Sequence, residues 1–162
     1  MSALQTAAKM ESDAIKFYRE ASEKTKNAVG KKMFLSIVED EKRHLEIINK
    51  LINKNEFSAS DASAPMKSIN TVFESMKNEM LQRAEASSDE LEAFKIAMEM
   101  EREGKEFYKQ SAAGAASDKE KELFNLLASE EEEHYTIFAN TYNFLKDSGN
   151  WFMWEEKGIV EG

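Results

Sequence analysis

The sequence predicts an all-α protein, a four-helix bundle built from two helical hairpins that a long crossover joins. Three observations lead to this prediction. Ala, Glu, Lys, Leu and Met are plentiful and proline occurs once in 162 residues, a composition that favours helix. Apolar residues recur at helical spacing in four long segments. The first pair of segments also repeats about ninety residues later, so the chain carries the same hairpin twice.

The first hairpin is expected near the N-terminus. Residues 3–26 carry a stripe of apolar side chains at helical spacing, and Glu11 lies on that stripe. Apolar periodicity resumes at about 31–54 and predicts the second helix. The stretch from Asn27 to Gly30 is interpreted as the turn between them, because asparagine and glycine favour turns.

A crossover over residues 55–88 is expected to join the two hairpins. Its first part, 55–65, is rich in Ser, Ala and Asp and is typical of a loop. Its second part, 66–80, has apolar residues at helical spacing and predicts a short Met-rich helix. We expect this helix to cover the bundle as a lid, with a partner-binding surface as the alternative. The crossover is also long enough for two chains to exchange hairpins.

The second hairpin has clearer boundaries. Ser87-Ser88-Asp89 is a plausible N-cap for a third helix that runs to about residue 113, where Gly114 follows. Ser117 and Glu120 have the spacing of a capping box, which predicts the start of a fourth helix that ends at about residue 147.

These elements predict one domain over residues 1–147, followed by a tail over 148–162. The chain is long enough for a substantial core. Three aromatic residues of the tail, Trp151, Phe152 and Trp154, are expected to pack on the bundle or on a dimer mate.

Composition and charge exclude several classes of function. The net charge of −9 argues against nucleic acid or an anionic membrane surface as a partner. The absence of cysteine excludes disulfides, thiolate zinc sites and iron–sulfur clusters within these residues. No apolar run is long enough to span a bilayer, and no N-terminal apolar region of a signal peptide is present. We therefore expect a cytoplasmic protein.

Six good metal ligands repeat their spacing in the two hairpins. In each half a single Glu precedes a Glu-x-x-His motif by thirty residues, and the two histidines are the only ones in the chain. Glu and His three residues apart project from one helical face, so each motif can bind one metal ion through both side chains. The six candidate ligands are Glu11, Glu41, His44, Glu101, Glu131 and His134.

Hairpin geometry supports this pairing. Residues at the same height in an antiparallel hairpin lie equally far from its turn. The midpoint of Glu11 and Glu41 is residue 26, and that of Glu101 and Glu131 is residue 116, and both midpoints fall at predicted turns.

Electrostatics indicates what the six ligands bind. Four carboxylates inside a bundle repel one another, and without a cation some of them must take up protons. Two Fe(II) ions would neutralise the four carboxylates, and mixed carboxylate and imidazole ligation suits iron or manganese. The alternative, a solvated acidic face, is disfavoured by the equal spacing in both halves.

One choice of ligand is ambiguous in the sequence. Glu130 lies four residues before His134 and could also face inward. Glu131 is preferred because it matches Glu41 in the first hairpin. We accordingly expect Glu130 to be solvated, together with its neighbours Glu132 and Glu133.

Two tyrosines accompany the ligands. Tyr18 and Tyr108 follow Glu11 and Glu101 by seven residues, two turns along the same helical face. Their hydroxyl groups could hydrogen-bond a ligating carboxylate, as groups around a metal site commonly do. Plain packing with a satisfied hydroxyl is the alternative.

These motifs resemble those of the rubrerythrin branch of the ferritin-like di-iron superfamily. That family pairs a Glu, followed by Phe-Tyr, with a later Glu-x-x-His, twice over. The resemblance covers about residues 3–147 and implies a ferritin-like bundle that holds two iron ions, with manganese or zinc as possible substitutes. It further implies that Glu41 and Glu131 bridge the irons. The matching residues are Met10-Glu11, Phe17-Tyr18, Glu41 and His44 in the first copy and Met100-Glu101, Phe107-Tyr108, Glu131 and His134 in the second.

The resemblance also implies a function, with two departures from the family. It implies a homodimeric enzyme for oxidative-stress protection, which reduces hydrogen peroxide or dioxygen with external electrons. Rubrerythrins proper carry an extra Glu where this chain has Gly104, and a rubredoxin domain that this cysteine-free chain lacks. A separate donor such as a rubredoxin is therefore expected. The alternatives are a ferroxidase or iron-handling protein and a non-enzymatic, metal-stabilised helical adaptor.

Overall fold

The structure, a computed structural model, describes residues 2–54 and 88–146, which form four α-helices and no strand. The prediction of an all-α bundle is confirmed. No helix in this part of the chain is both long and apolar enough to cross a membrane. The predicted crossover helix and aromatic tail lie outside the described residues. The helices are α1 (Ala3–Lys24), α2 (Ala28–Ile52), α3 (Ser88–Ala113) and α4 (Asp118–Lys146).

The helices pack as two hairpins. Helix α1 packs along α2, and α3 packs along α4, while contacts of α2 with α4 and of α1 with α3 join the hairpins into one bundle. The repeat in the sequence is also a repeat in burial, because residues 31–40 and 121–130 show the same order of buried and exposed positions. Equivalent helices therefore turn the same faces to the core.

The turn of the first hairpin is shorter than the sequence predicts. The Asn27 side chain accepts hydrogen bonds from the backbone N–H groups two and three residues on, and this N-cap starts α2 at Ala28. Gly30 is therefore helical. A Cβ atom there would lie 3.1 Å from Cγ2 of Thr25 and 3.3 Å from Cε2 of Phe94. Glycine at this position permits close packing of helices and does not form the turn.

Capping interactions define two other helix starts. Ser117 Oγ accepts a hydrogen bond of 3.2 Å from the Glu120 backbone N–H, as the predicted capping box requires. Helix α1 begins with a full capping box that the sequence reading did not identify. There Ser2 accepts from the Gln5 backbone, and the Gln5 side chain accepts from the Ser2 N–H.

The core consists of two apolar layers with the candidate ligands between them. One layer is aromatic and centres on Phe34, Phe94 and Phe138, whose ring centroids lie 4.4–5.9 Å apart. The other layer includes Tyr108 and Phe124, with stacked rings. In each helix the candidate ligands fall between residues of the two layers, so apolar packing encloses them from both ends.

Truncation of Phe34 tests the aromatic layer. Phe34→Ala should lower the free energy of unfolding by about 3–5 kcal/mol, because it removes a fully buried ring and leaves a cavity. The control is Leu35→Ala, at the adjacent position of the same helix. Leu35 is 42% exposed, so its truncation should cost only about 1 kcal/mol. Urea unfolding, monitored by circular dichroism, measures both variants. Equal losses of unfolding free energy would contradict a stabilising role of the aromatic layer.

Candidate metal centre

The six residues predicted as ligands converge inside the bundle, and all are buried. They form two overlapping groups of four, and within each group one ligand atom from every residue lies within 4.8 Å of the others. Two carboxylates, Glu41 and Glu131, belong to both groups and lie between the two potential metal positions. The first group adds Glu11 and His44, and the second adds Glu101 and His134.

Each helix contributes according to its sequence motif. Helices α2 and α4 carry Glu and His three residues apart, which places both side chains on the inner face. The imidazole rings of His44 and His134 are fully buried, with centroids 5.6 Å apart and an interplanar angle of 23°. Their Nδ1 atoms face the carboxylates. That of His134 lies 2.8 Å from Oε1 of Glu41, and that of His44 lies 3.9 Å from the same atom.

The unsatisfied atoms of the site fit a metal. Among the described residues, each of the six has one buried polar atom that forms no well-oriented hydrogen bond, although His134 Nδ1 and Glu41 Oε1 lie only 2.8 Å apart. Such atoms are costly in a protein interior. A cation bound among these atoms would satisfy them, and oxygen and imidazole nitrogen donors together suit iron or manganese. The atoms are Glu11 Oε2, Glu41 Oε1, His44 Nδ1, Glu101 Oε2, Glu131 Oε1 and His134 Nδ1.

The carboxylates interact strongly in the metal-free protein. Burial, with the nearby charges of Glu101 and Glu41, raises the pKa of Glu131 well above its ordinary value. Burial and the charge of Glu101 also raise the pKa of Glu41. At Glu101 itself burial acts in the same direction, but interactions with Glu131 and His134 outweigh it and lower the pKa. The expectation that some buried carboxylates take up protons agrees with these directions.

The imidazole of His134 responds to the same carboxylates. Burial alone would lower its pKa, but the charge of Glu101 and the hydrogen bond to Asp40 overcome burial and raise the pKa well above the ordinary value. Without metal, His134 therefore favours the protonated form beside ionised Glu101.

The two tyrosines hydrogen-bond across the bundle. Tyr18 donates its hydroxyl to Oε1 of Glu101 at 2.7 Å, and Tyr108 donates to Oε1 of Glu11 at 2.6 Å. Each bond joins a tyrosine of one hairpin to the single Glu of the other. Burial, with the neighbouring carboxylates, raises the pKa of both tyrosines well above its ordinary value. Both hydroxyls therefore remain protonated donors that orient candidate ligands.

Two acidic residues lie behind the imidazoles, next to the Nε2 atoms that point away from the candidate ligand carboxylates. The sequence analysis does not identify either of them as functional. Oδ2 of Asp40 lies 3.1 Å from Nε2 of His134, and Oε1 of Glu130 lies 3.4 Å from Nε2 of His44. The prediction that Glu130 is solvated was wrong, because the residue is 6% exposed and its carboxylate faces His44 in the opposite hairpin. A signal was present, since an acid directly precedes the Glu of both Glu-x-x-His motifs.

The surroundings of these two acids differ. Arg43 forms an ion pair with Asp40. The equivalent position in the second hairpin is Glu133. The sequence analysis expects this residue to be solvated, but it is half-buried. Burial and the adjacent charge of Glu130 raise the pKa of Glu133. Glu132 is exposed, as the sequence predicts.

Gly104 lies directly against a candidate bridging ligand. A Cβ atom at this position would be 3.0 Å from Oε2 of Glu131, closer than ordinary van der Waals contact. Glycine therefore leaves space beside that carboxylate where a larger side chain would displace it. A cavity of about 320 Å³ adjoins the same region, lined by both α1 and α3 and by the carboxylates of the site.

Comparison with known proteins agrees with this geometry. A family model described as Rubrerythrin matches residues 2–142, which include all six candidate ligands and both tyrosines. Neither the curated proteins nor the solved structures include a match to the chain. Because the family model covers most of the sequence, the chain belongs to the rubrerythrin family.

Proposed function

We propose that this centre binds two iron ions and reduces hydrogen peroxide or dioxygen with electrons from a separate donor protein. The observation that carries the proposal is the convergence of six buried side chains, each with one ligand atom that forms no well-oriented hydrogen bond within the described residues. Glu41 and Glu131, shared by both groups, would bridge the ions. The remaining ligands divide equally, with Glu11 and His44 on one ion and Glu101 and His134 on the other.

The residues of the chain would prepare the centre for a two-electron reaction. Two bound Fe(II) ions would supply one electron each, as the reduction of hydrogen peroxide with two protons to two water molecules requires. Four carboxylates balance the four positive charges of the reduced pair, so the buried site carries little net charge. Tyr18 and Tyr108 hold the carboxylates of Glu101 and Glu11 in place, which limits reorganisation during the reaction.

The cavity beside the site favours a small uncharged oxidant. Its volume of about 320 Å³ is sufficient for peroxide or dioxygen. The described residues that line it include several acids and no Lys or Arg, so this part of the lining should disfavour anionic substrates. The acidic lining residues are Glu11, Asp13, Glu41, Glu101, Glu103 and Glu131.

The source of electrons would be a separate protein. The sequence contains no cysteine, so a thiolate-bound iron centre cannot lie within these 162 residues. We propose a small redox protein of the rubredoxin kind as donor to a homodimeric cytoplasmic enzyme. The same six ligands would also serve a ferroxidase, and the reaction with the two oxidants distinguishes these functions.

Removal of a bridging carboxylate tests the metal centre. Glu131→Ala should reduce the iron bound per chain from two ions to one or none, because both groups lose a shared ligand. Glu132→Ala is the matched control, since its side chain is 53% exposed and its ion pair with Lys105 is at the surface. Anaerobic Fe(II) loading followed by metal analysis measures both variants. Two ions retained by Glu131→Ala would sink the assignment.

The choice of oxidant distinguishes a peroxidase from an oxidase or ferroxidase. Protein loaded anaerobically with Fe(II) is mixed with stoichiometric peroxide or dioxygen, and ferric absorption in the near ultraviolet is followed by stopped flow. We expect faster oxidation by peroxide, followed by re-reduction when reduced rubredoxin is supplied. Faster oxidation by dioxygen would favour oxygen reduction or ferroxidase work. Bound iron that reacts with neither oxidant would favour the non-enzymatic alternative.

Metal binding should release protons at neutral pH. The pKa values of Glu131 and His134 are raised, so these groups hold protons in the metal-free protein at pH values where free side chains would have lost them. A metal binds only the deprotonated ligands, so affinity should rise with pH. Calorimetry in buffers of different ionisation enthalpy measures the protons released. Release should be smaller in Glu131→Ala, and no release by the native chain would contradict the prediction.

A further inference from the structure

The two halves of the site are equivalent in their ligands but not in the charges behind them. Each half supplies one single Glu, one Glu-x-x-His motif and one tyrosine donor. The acids behind the imidazoles, Asp40 and Glu130, also occupy equivalent positions. Three residues further along each helix the equivalence fails, because Arg43 in α2 corresponds to Glu133 in α4. The two residues carry opposite formal charges.

The difference in charge between Arg43 and Glu133 affects the imidazoles through Asp40 and Glu130, the acids that contact the rings. His134 faces Asp40, whose other carboxylate oxygen pairs with Arg43, so a cation offsets the charge of the acid that contacts this ring. On the other side, Glu130 faces His44 and has Glu133 as an acidic neighbour three residues along α4, where Glu133 also interacts with His134 and Asp40. The acid behind His44 therefore has an acidic neighbour where the acid behind His134 has a cationic one.

We propose that Arg43 and Glu133 make the two metal positions inequivalent, so that the position formed by Glu11 and His44 takes the first divalent cation. The inference rests on the proposed function, since it concerns the same centre. A more negative partner behind an imidazole makes its ligating nitrogen a stronger donor and favours positive charge on the bound ion. Neither Arg43 nor Glu133 is a candidate ligand. Both act through Glu130, Asp40 and the rings.

The shared carboxylates and the tyrosine hydrogen bonds do not account for such a preference. Both groups share Glu41 and Glu131, and the tyrosine hydrogen bonds differ by only 0.1 Å, 2.7 Å against 2.6 Å. Asp40 and Glu133 also interact across the bundle, so the groups behind the two rings form one cluster. Exchange of the two charges within this cluster should therefore reverse the preference.

The neighbouring positions provide a matched control. Lys42 and Glu132 also carry opposite charges at equivalent positions, one residue before Arg43 and Glu133. Their side chains are exposed, and they pair with Glu39 and Lys105 at the surface. The exchange K42E/E132K changes the same charges on the same helices without altering the partners of the imidazoles.

The experiment locates the first metal ion by proton NMR. The metal-free full chain is titrated anaerobically with Co(II), whose paramagnetism shifts the Nε2–H proton of each ligating imidazole. His44→Gln assigns the two signals. At one equivalent of Co(II) we expect the His44 signal to exceed the His134 signal by about tenfold, since partners behind metal ligands typically change affinity by about 10–100-fold. R43E/E133R, which keeps the net charge, should reverse the ratio, and K42E/E132K should leave it unchanged.

A second variant covers the case in which the exchanged protein does not fold. R43Q/E133Q introduces no new charge beside the buried acids and should bring the ratio close to one. Equal growth of both signals in the native protein, or a native ratio in R43Q/E133Q, would overturn this inference while leaving the metal centre intact. Failure of the native chain to bind Co(II) would overturn the proposed function itself, and this inference with it.

Discussion

The burial of four carboxylates at one point is the constraint on which the rest of the structure depends. A carboxylate removed from water is costly unless a proton, a hydrogen-bond donor or a cation compensates it. Without metal, protons provide part of this compensation, as the raised pKa of Glu131 indicates. The hydroxyls of Tyr18 and Tyr108 provide another part. The remaining uncompensated ligand atoms converge on two overlapping positions. For this reason the arrangement is unfavourable without metal and selective for cations.

The apolar layers on either side make this arrangement tolerable. The rings around Phe34 and those around Tyr108 bury large apolar areas above and below the ligands, and this burial stabilises helices whose inner faces are interrupted by acids. The layers also restrict the side-chain conformations of the ligands. A stable bundle can thereby hold charged groups close together without collapse of the site around them. The apolar layers stabilise the bundle, and the candidate metal ligands lie between them.

The sequence predicts the fold and the convergence of the ligands because both depend on periodicity within each helix. It does not predict the role of Glu130, because a run of four acids looks the same whether one of them is buried or all are solvated. Only the packing of α2 against α4 places that side chain against His44. Gly30 is a similar case, since glycine suits a turn and a close helix contact equally well, and the neighbouring side chains decide between them.

The reciprocal contacts across the bundle have a consequence for how such a site could arise. Tyr108 is bonded to Glu11 and Tyr18 to Glu101, while Glu130 supports His44 and Asp40 supports His134. Every one of these contacts joins different hairpins, so a single hairpin contains half of the ligands and none of their supports. An ancestral hairpin could have formed the complete centre only by pairing with a copy of itself. Once the two copies lay in one chain, each could change independently, and opposite charges at positions 43 and 133 became possible.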